Sequence, residues 1–132
     1  MFELEQILQQ VVPLIVSTIL GGIVGFEREL TEKPAGLRTH MIVSLGSCLF
    51  TVVSVCDFQM DPARIAAGIV AGIGFIGAGA VLSERDRVVG LTTAASLWVT
   101  AAIGLTTGVG NYVLSIATTA LVVATLFIRR IR

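Results

Sequence analysis

Charge is scarce in this 132-residue sequence. Only 14% of its residues are charged, while 55% are hydrophobic. A soluble domain carries about 25% charged residues, so a water-facing fold of this size could not cover its surface. The nine basic and nine acidic residues cancel, which leaves no positive field to attract nucleic acid. Cysteine is nearly absent, and Cys48 and Cys56 fall in one hydrophobic segment. In a helix their spacing is about 12 Å, beyond the reach of about 7 Å that a disulfide allows. His40 is the single histidine. No zinc spacing, nucleophile–base pair or phosphate loop occurs, so no metal site, cofactor or enzymatic activity is expected. The opening Met1-Phe2-Glu3-Leu4-Glu5 is acidic, unlike the positive start of a secretory signal. The first hydrophobic segment is therefore expected to be retained.

What remains is hydrophobic sequence in long runs, with a mean hydropathy of +0.92. A bilayer core of about 30 Å requires about 20 mostly apolar residues per helix. Such runs lie at about residues 7–26, 41–56, 65–82, 91–107 and 112–128, of which the second and fourth are short and need their flanking residues to span. The expected fold is an all-α integral membrane bundle of about five spans, a single domain over 1–132. Pro13 lies inside the first segment and is expected to kink it or mark its first turns. Pro34 and Gly36 make a turn, and Thr39 is placed to cap the second segment. Asp61-Pro62 reads as an N-cap followed by proline at the first helical position. Ser83 to Arg87 reads as a charged loop, and Gly108 to Asn111 as a tight turn.

Lysine and arginine set the orientation. The N-terminus, the loop at Asp61 and the turn at Asn111 share one side, where Arg64 is the sole basic residue. Arg28, Lys33, Arg38, Arg85, Arg87, Arg129, Arg130 and Arg132 share the other. The positive-inside rule makes that side cytoplasmic, with the N-terminus out, the C-terminus in and Tyr112 in the outer aromatic belt.

At about 100° per residue, Gly68, Gly72 and Gly79 share one face of segment three, with Gly74 and Gly77 roughly opposite. Glycine on two faces implies close neighbours on two sides, so segment three is expected to be the central helix. An unwound stretch at Gly74 to Gly79, offering carbonyls to an ion, is the sharper alternative. Thr92, Thr93, Ser96, Thr100, Gly104 and Thr107 fall within about 120° of arc on segment four, away from Trp98. Such a stripe either packs helices together or lines a polar pathway. Gly21/Gly25 and Gly104/Gly108 have the spacing that favours helix association, and a homo-oligomer is expected.

The spans contain no ionisable group near mid-membrane, where proton-coupled pumps keep one. Magnesium prefers carboxylates plus water, and none sits on a path through these segments. At the cytoplasmic end Glu27, Arg28 and Glu29 face Arg38, Thr39 and His40 across a short turn. They are either ordinary flanking charges or a patch that recognises a partner or anion, with Arg38 as donor. On the outer side Asp61 and Arg64 form a candidate ion pair, expected to be buried between loops.

Three blocks carry a wider likeness. They are Gly25-Phe26-Glu27-Arg28-Glu29 with Ala35-Gly36-Leu37-Arg38-Thr39-His40; Asp61-Pro62-Ala63-Arg64-Ile65-Ala66-Ala67 running into Gly72-Ile73-Gly74-Phe75-Ile76-Gly77-Ala78-Gly79; and Gly90-Leu91-Thr92-Thr93-Ala94-Ala95 with Trp98. At these residues the sequence resembles the MgtC/SapB family of bacterial membrane proteins. The resemblance implies a domain of about five spans in the inner membrane. It also implies a link to growth under magnesium limitation and, in pathogens, to survival inside macrophages. It further implies a regulatory role, with the ATP synthase as a partner proposed for relatives. Some members add a soluble cytoplasmic domain after the last span, which is not expected here. The family often has Gln where this chain has Gly68 and Ser at Ala71, so segment three is less polar here. The leading expectation is a small regulator that lies in the lipid bilayer and acts through contacts with another membrane protein. The alternative is an oligomeric transporter or channel for magnesium or another ion.

Overall fold

The computed structural model describes residues 2–57, 61–84 and 87–131. Five helices form, α1 Phe2–Leu30, α2 Leu37–Asp57, α3 Pro62–Ala80, α4 Leu91–Gly108 and α5 Tyr112–Ile131. Three of them, α1, α2 and α3, are long and apolar enough to cross a membrane. The chain is an all-α membrane-type bundle. α1 continues through Pro13. The outward surface is apolar, with Ile19, Ile42, Phe50, Trp98 and Leu121 all exposed, as lipid-facing side chains must be.

The expected loop at Ser83 to Arg87 is instead a short antiparallel hairpin, β1 Leu82–Glu84 paired with β2 Arg87–Val89. Local hydrogen bonding there satisfies backbone that a bare loop would leave to water. Arg85 and Arg132, and the side chains of Arg87, Arg129 and Arg130, lie outside the described residues, as does the loop at 58–60.

The turns follow local chemistry. α1 ends in a Schellman motif, with the Lys33 N–H donating to Arg28 O (3.0 Å) and the Glu32 N–H to Glu29 O (3.1 Å). The left-handed position belongs to Glu32, at φ 54°, where glycine is the usual occupant. Glu32→Gly is therefore expected to raise stability by up to about 1 kcal/mol, measured by unfolding in mixed micelles. α2 begins at Leu37, so Thr39 lies within its first turn and does not cap it. The Leu37 N–H instead donates to the Glu29 carboxylate at 2.9 Å. Asp61 occupies the N-cap position of α3 but makes no side-chain cap bond.

α4, not α3, is the hub. It contacts α1, α2, α3 and α5. One face supplies Leu97 and Ala101 to a core with Ala35, Val43 and Ile73, and another supplies Ile103 to a core with Leu20, Val24 and Leu126. The expectation of a central α3 is thus overturned. α3 buries only Ile73 and Gly77 and lies at the edge against α4 and α2. Of the glycines expected to pack there, Gly77 alone approaches a neighbour, Ala94, while Gly68, Gly72, Gly74 and Gly79 face open space. α3 is also helical through Ala80, so no unwound stretch forms at Gly74 to Gly79. Hydropathy and glycine content constrain which faces suit close packing, but the chain's own partners are chosen by connectivity.

Candidate functional site

α2 and α4 meet along a seam of buried hydroxyls. His40, Ser44, Ser47, Thr51 and Ser54 recur at intervals of three and four residues on α2, and all are buried. Across from them α4 buries Thr93, Ser96, Thr100, Gly104 and Thr107. Thr92, expected in the same stripe, is exposed, because the contact with α2 starts one residue later on the wheel. Trp98 is 60% exposed and stays clear of the stripe.

Glycine lets the seam close. A Cβ at Gly104 would run into the Ser44 carbonyl, and one at Gly108 would lie 2.7 Å from the Thr51 Cβ. The Gly21/Gly25 pair does the same for α1 on α2, where a Cβ would meet His40 O at 2.6 Å and the Leu37 Cα at 2.8 Å. Both glycine pairs that suggested association between chains are thus occupied within this one. The physics of close backbone approach is that of any small-residue helix contact.

Most of the hydroxyl protons already have acceptors. Thr51 donates to Ser47 O (2.8 Å), Thr100 to Ser96 O (2.6 Å) and Thr107 to Ile103 O (2.7 Å), each within its own helix. Two contacts cross between α2 and α4. Ser47 Oγ donates to Ala101 O at 2.6 Å, and His40 Nε2 lies 2.8 Å from Ser96 Oγ. His40 Nδ1 is 2.8 Å from the Gly36 carbonyl, which can only accept, so Nδ1 carries a proton. In the neutral ring Nε2 is an acceptor, so the single Ser96 hydroxyl proton is shared between Nε2 and Thr93 O, to which Ser96 donates at 2.7 Å. Interhelical bonds of this kind contribute about 0.6–2 kcal/mol each.

The charged patch divides. Glu27 and Arg28 are buried, with relative exposures of 4% and 1%, and pair at 2.7 Å from Arg28 Nε to Glu27 Oε1. Both charges act on the nearby His40 ring. Glu27 Oε2, Arg28 Nη1 and Ser44 Oγ are buried with no hydrogen-bond partner. Glu29 tethers the start of α2, and Arg38 and Thr39 are exposed, so Arg38 is not joined to the buried pair. The Asp61–Arg64 pair does form, at 3.3 Å, but its side chains are 58% and 86% exposed. The expectation of a buried outer pair is corrected, because both residues lie on the outermost turn of an edge helix.

Ser44, Ser47, Thr51 and Ser54 are the seam residues that the charge- and glycine-based reading passes over. Their helical spacing was the available signal, and it matches that of the stripe on α4. Among the described residues, no three His, Cys, Asp or Glu side chains are grouped to hold a metal ion. Cys48 and Cys56 are both free.

The sequence pattern of the MgtC family matches residues 14–131. The chain is 48% identical over 115 residues to a protein of Escherichia coli (strain K12) named "Putative magnesium transporter YhiD", covering 80% of this chain and 54% of that one. It is 42% identical over 107 residues to "Protein SapB" of Bacillus subtilis (strain 168), covering 74% and 46% of the two chains. It is 41% identical over 109 residues to "Protein MgtC" of Salmonella typhimurium (strain LT2), covering 83% and 47%. The chain spans about half the length of these relatives. No solved structure matches it. With its family pattern running across nearly all five helices, this chain belongs to the MgtC family.

Proposed function

We propose that this chain is a small magnesium-linked membrane regulator that acts by helix contact with another membrane protein and conducts no ion itself. One observation carries the reading. From Thr93 to Thr107 the hydroxyl stripe of α4 is turned inward against α2, with the protons of Ser96, Thr100 and Thr107 committed to backbone acceptors or to His40. A conduction path would need those groups to face water. Meanwhile a different small-residue face is left open. Ala67, Ala71, Gly74 and Ala78 on α3 are all exposed and fall within about 60° of arc. Beside them Phe75 is 89% exposed. Small residues on an exposed membrane helix suit close approach by a second helix.

The magnesium link is taken from the name of the Escherichia coli relative, and the regulatory role from the family resemblance, which also brings in the ATP synthase as a partner. The reading places five crossings in the inner membrane, with the N-terminus out and the C-terminus in on the positive-inside argument. A reporter fused after Arg132 is expected to read cytoplasmic, and a periplasmic signal overturns that orientation.

The second reading is an oligomeric magnesium transporter, favoured by that relative's name and by the open glycine face of α3. Flux into proteoliposomes separates the two. Wild-type protein is expected to show no saturable magnesium uptake above protein-free vesicles, and a photo-crosslinker at Ala71 is expected to capture a different membrane protein. Saturable flux abolished by Thr100→Val, or capture of a second copy alone, defeats the regulator.

A further inference from the structure

We propose that the groove between α2 and α3 is a phospholipid site, holding one acyl chain along its length and the lipid phosphate at Arg64. The groove encloses about 530 Å³ between Gly46 and Phe50 on α2 and Arg64, Gly68, Gly72 and Ile76 on α3. Its floor is Ser47 and Ala101. The Ser47 hydroxyl donates to Ala101 O, so the floor offers no free polar hydrogen. Arg64 is the one charged residue among the lining side chains, and it stands at one end. A long apolar slot ending in a cation matches an amphiphile with an anionic head.

Length selects a lipid over a helix. From Arg64 to Ile76 the wall rises about 18 Å, close to one leaflet's share, about 15 Å, of the hydrocarbon core. Beyond Ile76 the slot ends, because a Cβ at Gly77 would lie 3.7 Å from the Ala94 Cβ and Ala80 packs onto the core of Ala35, Val43 and Leu97. At the other end the Ser54 hydroxyl donates to Pro62 O at 3.0 Å and ties the feet of the two helices together. A transmembrane helix needs a path open through the full thickness. A flexible chain entering sideways from its own leaflet does not. Asp61 holds the Arg64 Nε at 3.3 Å, but a guanidinium has five N–H donors and can serve a carboxylate and a phosphate together. Gly46, Gly68 and Gly72 have nothing within 4 Å of an added Cβ, so the walls are smooth and the space is unclaimed by the protein. This site is separate from the Ala67–Ala78 face, and its test does not depend on the regulator reading.

The full chain, purified in a phosphate-free detergent, is titrated with phosphatidylglycerol, with diacylglycerol of the same chains, and with glycerol phosphate. Retention is read by native mass spectrometry and the midpoint shift by thermal unfolding. Phosphatidylglycerol is expected to bind at least about tenfold more tightly than diacylglycerol, and glycerol phosphate not to bind. Arg64→Gln is expected to bring phosphatidylglycerol down to the diacylglycerol level. Gly72→Leu is expected to abolish binding by filling the slot, and Gly46→Leu provides the same block from the opposite wall should the first variant not fold. Wild-type retention in both leucine variants overturns the proposal. Equal binding of phosphatidylglycerol in wild type and Arg64→Gln, or of glycerol phosphate and phosphatidylglycerol, does so too.

Discussion

Glu27→Leu is expected to destabilise the protein by about 3–5 kcal/mol, because it leaves Arg28 buried without its carboxylate. Arg28 is 1% exposed and already has Nη1 without a partner. An arginine cannot shed its charge, so the orphaned cation must either stay desolvated or drag the end of α1 toward water. Arg28→Leu is expected to cost less, since a lone carboxylic acid can exist in neutral form. The double variant Glu27→Leu/Arg28→Met is expected to lie near wild type or above it, as apolar replacements of buried ion pairs often do. Reversible unfolding in mixed micelles measures all three. A double variant as unstable as Glu27→Leu would show that packing, not the missing counter-charge, causes the loss.

The second large effect is expected at Gly104. Gly104→Val forces a side chain into the Ser44 carbonyl, which is backbone and cannot rotate away. Overpacking of this kind costs about 1–3 kcal/mol and occasionally more, and a backbone obstacle puts this variant at the upper end. The separation of α2 from α4 also breaks the Ser47–Ala101 and His40–Ser96 contacts. Gly74→Ala is the matched control. Nothing lies within 4 Å of its added Cβ, so it is expected to gain up to about 1 kcal/mol from helix propensity alone. Equal responses at the two glycines, read by the same micelle unfolding, would mean that α4 does not form the close contact with α2.

Several features are legible from residue order and composition. The starts of α4 and α5 at Leu91 and Tyr112 coincide with the hydropathy runs, because a helix that faces lipid must be apolar over its length. The Gly108–Asn111 turn is legible too. Gly110 takes φ 90° and the Leu114 N–H donates to Asn111 Oδ1, which is local chemistry. The stripe on α4 is visible as a periodicity, and it does form one buried line from Thr93 to Thr107.

What the stripe faces is not legible in that periodicity, since water, lipid and another helix all accept the same spacing. The glycines mislead for a related reason. Gly68, Gly72 and Gly74 have the same side chain, or lack of one, as Gly21, Gly25, Gly104 and Gly108. Only the latter set meets a neighbour. Likewise Glu27 and Arg28 read as flanking charges beside Arg38, yet the turn through Glu32 and the close approach at Gly25 carry them into the interior.

Composition and the fixed pitch of a helix were enough to establish the membrane-type helical class, the places where helices stop and the faces that suit close contact. Each of these depends on residues near one another along the chain. Long-range packing chose the rest. It made α4 the hub, left α3 at the edge with most of its glycines open, and buried Glu27 against Arg28 beside His40. Several faces are compatible with close contact, and which of them meet is settled by the short connections and by the fit of all five helices at once.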